Sequence, residues 1–160
     1  MTDRGQINGL AYSNTALGFS YQFPQGFLVN PDNVPLGNSI LMVADKHDGT
    51  AWRDRIVLAV DTGKYSGTIA DYVTHFAHSM GAYVPTVVLR DTYRLRIADQ
   101  DFFRIDYQRT QEGKIVYQDF VCTRLKGALV SWTFTSLNKQ QVGEMATSIN
   151  SVAFASAKVR

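Results

Sequence analysis

The chain has 160 residues, 45% hydrophobic and 19% charged, with a formal net charge of +2 and one cysteine, Cys122. That length builds a hydrophobic core without disulfides or metals, so one domain over residues 1–160 is expected, with 1–16 as a lead segment. The charge is too small to argue for nucleic acid, a single cysteine excludes an intrachain disulfide, no apolar run is long enough to cross a bilayer, and "MTDRGQING" lacks the apolar centre of a secretory signal.

In "LGFSYQF", Leu17, Phe19, Tyr21 and Phe23 alternate with small or polar residues, which predicts a strand with one buried face. "PQG" ends it in a turn, because Pro24 cannot donate to a ladder and Gly26 tolerates positive φ, and Phe27 and Val29 then fold back on the same core. "NPDNVPLGN" reads as a loop. "SILMVAD", the polar tip "KHDGTAWRD" and "RIVLAVD" read as a long hairpin. From Thr68 to Met80 the period changes: Ile69, Tyr72, Val73, Phe76 and Met80 recur at helical spacing, Thr68 and Asp71 form a capping pair, and Gly81 is the stop. "TYRLRIA", "DFFRIDYQRT", "IVYQDFVCTRL" and "ALVSWTFTSL" follow as strands joined by "DQ", "QEGK" and "KG", links so short that neighbours must be antiparallel. Asn138 caps a second helix with Val142, Met145, Ala146 and Ile149 on one face, and "SVAF" closes the chain in extended form. The fold class expected is α+β, an antiparallel β-sheet with helices packed on it in a sandwich.

Four constellations touch on chemistry. "LAVDTG" presents Asp61 as aspartic proteases present their Asp-Thr-Gly, but a single copy needs a homodimer to supply the second carboxylate, and Asp-Thr-Gly is also an ordinary strand exit. Asp71, His75 and His78 fall at i, i+4 and i+7 on one narrow helical stripe, a spacing that can hold a divalent ion, although the stripe points away from the helix's apolar face. "SLNK" matches Ser-x-x-Lys without its companion motifs, and Asn138 as a helix cap accounts for it. Arg94, Arg96, Arg104 and Arg124 lie on polar sides of neighbouring strands with Asp106 and Gln108 among them, which makes either an anion-binding stripe or a charge-paired sheet face. Cys122, among strand-forming neighbours, reads as a small buried hydrophobe.

"GQINGLAYSNTALGFSYQFPQGF", with its Gly-Phe-x-Tyr strand ending at Pro-x-Gly-Phe, resembles the opening of PsbP-like domains. The long hairpin, the helix entered at Thr68, "VSWTFTS" and "SINSVAF" extend that resemblance from Gly5 to Phe154. The superfamily takes in photosystem II PsbP, Ran-binding Mog proteins and envelope lipoproteins of the DcrB type, and this chain is most similar to its bacterial branch. The resemblance implies an antiparallel sheet between helices and an accessory role without catalysis. It also makes export to the periplasm or beyond an expectation, and it carries no site residue to any position here.

The first functional expectation is therefore a non-enzymatic module that binds another protein, with no cofactor and no nucleic acid. The second is a small-ligand or anion carrier, with a pocket near Arg94, Arg96 or Arg104 or beneath "NPDNVPLGN". The third is a dimeric aspartic hydrolase acting through Asp61. Asp71, His75 and His78 stand as the candidate surface metal ligands.

Overall fold

A computed structural model of the chain describes residues 3–34, 39–47 and 49–155. Residues 6–14, within the stretch expected as a lead segment, form two strands, β1 (Gln6–Asn8) and β2 (Ala11–Asn14), and β3 (Phe19–Gln22) pairs with β2. Tyr12 and Asn14 of β2 and Phe19, Tyr21 and Phe23 from β3 onward are all buried, as period-2 alternation requires. Buried Asn14 is fully used: its Oδ1 accepts from the Leu17 N–H at 2.9 Å and its Nδ2 donates to Tyr12 Oη at 3.2 Å and Asp3 O at 3.1 Å. The expected turn follows, with Gly26 at φ +88 and the Phe27 N–H donating to Pro24 O at 3.4 Å, and Phe27 re-enters the core.

A short strand β4 (Leu28–Val29) leads into a 3-10 turn at Pro31–Asn33, capped by Asn30. Residues 35–38 of the "NPDNVPLGN" loop, and Asp48 in the hairpin tip, lie outside the described residues. The hairpin itself is β5 (Ile40–His47) with β6 (Arg53–Asp61), and pairing continues to His47 and Arg53, further into the tip than the sequence suggests. The first helix, α1 (Ile69–Met80), starts where Thr68 Oγ1 accepts from the Asp71 N–H at 3.0 Å. Its buried residues are Val73 and Ala77, with Ile69, Tyr72 and Phe76 half-buried beside them; Ala77 belongs to the apolar face although its size hides it in the pattern. Gly81 follows the helix at φ −62, so the stop does not use a left-handed glycine.

Four long strands make the meander: β7 (Thr86–Ile97), β8 (Gln100–Gln111), β9 (Lys114–Leu125) and β10 (Ala128–Ser136). They are joined by Ala98–Asp99, Glu112–Gly113 and Lys126–Gly127, and both residues of each pair have positive φ. Two-residue turns of that kind match the right-handed twist of paired strands. The first lies one residue earlier than the "DQ" expected. β10 then inserts beside β6, giving a seven-stranded antiparallel sheet of order β4-β5-β6-β10-β9-β8-β7. Helix α2 (Lys139–Ala146) follows, its Asn138 cap accepting from the Gln141 N–H at 2.9 Å, and β11 (Ala153–Phe154) pairs with β3 to complete a second, four-stranded sheet.

Register sorts the large sheet into two faces. Leu58, Val121, Trp132 and Phe134 point toward the small sheet and toward Val142, Met145, Ala146 and Ile149, forming the larger core. Tyr21 and Phe19 meet Trp132 edge-on, with ring centroids 5.8 Å apart in both pairs. Ile105, Phe120, Cys122 and Leu129 point the other way, under α1, where Phe76 stacks on Phe120. The architecture is the expected α+β sandwich, with α1 on one face and α2 with the small sheet on the other.

Candidate functional site

Arg104 on β8, Asp106 two residues on and Asp119 on β9 share the α2 face of the sheet, because Asp106 and Asp119 pair directly and alternation puts Arg104 on the same side. Arg104 Nε donates to Asp106 Oδ1 at 2.6 Å and Nη2 donates to Asp119 Oδ2 at 2.8 Å. The side chains of Arg104 and Asp119 are only 17% and 5% exposed. Tyr93 on β7 donates its phenol to Asp106 Oδ2 at 3.1 Å, and the Arg90 guanidinium lies over the Tyr93 ring at 3.6 Å.

This cluster forms one wall of a cavity of about 300 Å³ whose other wall is the first half of α2, with Lys139, Val142 and Gly143; Leu89 borders it from β7. Burial pushes the Asp119 carboxyl up to about 7, and the Asp106 carboxylate adds to the rise, against the attraction of Arg104. One guanidinium is divided between two acids, so it neutralises neither completely. Burial disfavours the Arg104 charge, yet the two carboxylates more than compensate and raise its pKa above the usual arginine value. With Arg90, Arg104 and Lys139 facing Asp106 and a partly protonated Asp119, the cavity carries excess positive charge.

Of the arginines singled out by sequence, Arg104 lines the cavity beside α2. Arg94 and Arg96 project from the opposite face of β7, opposite Phe103 and Asp101, and Arg96 forms a surface ion pair with Asp101 at 3.0 Å. Arg124 donates to Gly67 O at 3.4 Å. Sequence reasoning missed Asp119, Tyr93, Arg90 and Lys139. One signal was available: in "IVYQDFVC", Asp119 falls on the same strand face as Tyr117 and Val121, a charge on an apolar parity.

Asp71, His75 and His78 lie exposed along α1, bordering an open depression with Tyr65 and Thr74. Among the described residues no three His, Cys, Asp or Glu side chains are grouped closely enough to hold a metal ion. Asp61 ends β6 in a local turn, with Oδ1 accepting from the Gly63 N–H at 2.8 Å and Oδ2 accepting from Tyr72 Oη at 3.3 Å, the geometry of a strand exit. The proximity of Asp61 adds to burial in pushing the Tyr72 phenol up to about 12. At Ser136, Oγ accepts from the Asn138 N–H at 3.1 Å, inside the helix cap. Cys122 is fully buried, and burial pushes its thiol up to about 12. No described helix is long and apolar enough to cross a membrane.

No family model and no curated protein matches the sequence. Solved structures do match the fold. Cyanobacterial PsbP (CyanoP) from Synechocystis sp. PCC 6803 superposes with a TM-score of 0.65 at 12% identity, over 93% of this chain and 94% of that one. PA94 from Pseudomonas aeruginosa, a protein of unknown function, gives 0.60 at 14% identity over 94% and 100% of the two chains. LpqN of Mycobacterium tuberculosis, involved in cell envelope biogenesis, gives 0.56 at 12% over 86% and 83%. At such identities the likeness is one of architecture, and across nearly the whole chain that architecture is the PsbP-like fold.

Proposed function

We propose that the protein is a non-enzymatic binding module that holds a small amphipathic anion in the cavity between α2 and the sheet. The observation that carries this reading is a cavity of about 300 Å³ in which Arg90, Arg104 and Lys139 face an apolar rim of Leu89, Tyr117 and Val142. A carboxylate or phosphate head would sit against Arg90 and Lys139, since Arg104 is already shared between two acids, and an aliphatic tail would lie along the rim. The involvement of LpqN, which shares the fold, in cell envelope biogenesis is compatible with a binder that performs no chemistry. The test is titration with octanoate followed by NMR. Saturable shifts at β8, β9 and α2 are expected, and Gly143→Phe, which fills the cavity, should abolish them; unchanged shifts in that variant would refute the site.

A second reading, a protein-binding module, is favoured by one observation: β7 ends the sheet, and Tyr83, Val87 and Leu89 are exposed at or beside it. An extended segment of a partner would add there as a further strand. Crosslinking a candidate partner to wild type and to Val87→Lys checks it, and equal yields would exclude β7.

A further inference from the structure

α1 packs mainly on the β7, β8 and β9 part of its sheet face. Beside it lies a groove of about 560 Å³, on the side of the sheet opposite the Arg104 cavity. Its floor is polar: Gln118 on β9 and Thr135 on β10 are directly paired and nearly buried, with Thr133 and Val57 alongside. These floor groups are linked in one direction. Arg109 Nε donates to Gln118 Oε1 at 2.7 Å, and Gln118 Nε2 donates to Thr135 Oγ1 at 2.9 Å. The Thr135 hydroxyl already accepts, so its own proton is directed to an acceptor elsewhere.

Charge stands at the two borders. On β8, Arg109 is held by the amide oxygens of Gln118 and Gln111, and among the described residues no carboxylate pairs with it, so its charge is not neutralised. On β6, Arg53 and Arg55 share the single carboxylate of Asp45, at 3.6 and 2.7 Å, which leaves one positive charge in excess. Between β6 and β8 stand β10 and β9, which separates the two borders by about 14 Å at ordinary strand spacing. Trp52 also lines the groove, its indole N–H donating to Asp54 Oδ1 at 3.3 Å.

We propose that this groove is a second binding site, for a short acidic oligosaccharide. Two borders of cationic guanidinium require acid groups spaced along the ligand, not one compact anion. The hydroxyl and amide floor suits the hydroxyls of sugar rings. A single-stranded nucleic acid fits less well, because it needs successive aromatic platforms and the groove has one. The site is independent of the α2 cavity, which lies on the other face.

The test is calorimetric titration at low salt with trigalacturonate, galacturonate and a single-stranded oligonucleotide of equal charge. Trigalacturonate should bind saturably and at least tenfold more tightly than either of the others. Arg109→Gln should weaken it tenfold or more, Arg109→Lys should restore part of the loss by keeping the charge, and Thr135→Val should weaken it severalfold. Near-UV circular dichroism confirms folding of each variant, and exposed Arg53→Gln serves as a further probe if Arg109→Gln does not fold. No saturable binding, equal affinity for galacturonate, tighter oligonucleotide binding, or affinity untouched by substitution at both Arg109 and Arg53 would each overturn the proposal. Octanoate binding should be unaffected by these variants, which separates this site from the α2 cavity.

Discussion

Arg104 donates to Asp119 at 2.8 Å across two neighbouring strands, yet the carboxyl it contacts titrates high, near 7. Burial outweighs the ion pair because the same guanidinium also serves Asp106. Since the folded carboxyl is raised above its ordinary value of 3.8, the folded chain holds the proton more tightly than the unfolded chain. The resulting stability is complete below about pH 4 and is lost as pH rises through 7, with a slope approaching about 1.4 kcal/mol per unit. Asp119→Asn should flatten that decline in denaturant midpoints measured from pH 4 to 8. An identical pH profile in the variant would show that Asp119 is ionised throughout.

Arg104→Met leaves two acids without their shared cation. The expected cost is about 3 kcal/mol at pH 8 and clearly less at pH 5, where a protonated Asp119 needs no partner. Urea unfolding at the two pH values checks it.

Gly143 sits inside α2, and a Cβ added there meets nothing within 4 Å. Gly143→Ala should therefore stabilise the protein by about 1 kcal/mol through helix propensity alone. Thermal unfolding measures the gain, and a loss would mean that the cavity wall is tighter than described.

The Tyr107 phenol is buried with no hydrogen-bond partner among the described residues. Tyr107→Phe removes a desolvated hydroxyl and keeps the ring, so stability should hold or rise by about 1 kcal/mol. Destabilisation beyond about 1 kcal/mol in urea would reveal a partner for that hydroxyl.

Ala98 occupies the first turn position at φ +50, where a side chain is strained. Ala98→Gly should relieve that strain and raise stability by about 0.5–1 kcal/mol, after the glycine's own entropic cost. A melting temperature that falls would refute the strain.

The strands and helices were legible because their signals are local. Alternation at Phe19, Tyr21 and Phe23, the Thr68 and Asn138 caps and the presence of short links are read within a few residues, although only "KG" among the links has its observed bounds. The first two strands of the small sheet were not, since β1 and β2 are short, and only β2 reaches the legible β3. The site was half legible. Arg104 stood out with Arg94 and Arg96, but the strand parity that sends those two to the other face depends on β7 register, which bulges between Val88 and Tyr93 disturb. Asp119 drew no notice within an apolar strand, and its meaning comes from Arg104 on a different strand and Lys139 on a helix. The groove at Arg109 joins residues from the hairpin and the meander, which no local pattern connects.

The placement of β10 beside β6 bears on the order in which the chain takes shape. Residues 53–61 emerge from the ribosome with β5 as their sole neighbour on the large sheet and wait for residues 128–136 to cover the other edge. Until then "RIVLAVD" presents one unpaired edge of an apolar strand to its surroundings. Pairing of that sequence separation makes folding slow, and the nascent hairpin is the part of this protein most exposed to self-association or to capture by a holding chaperone during synthesis.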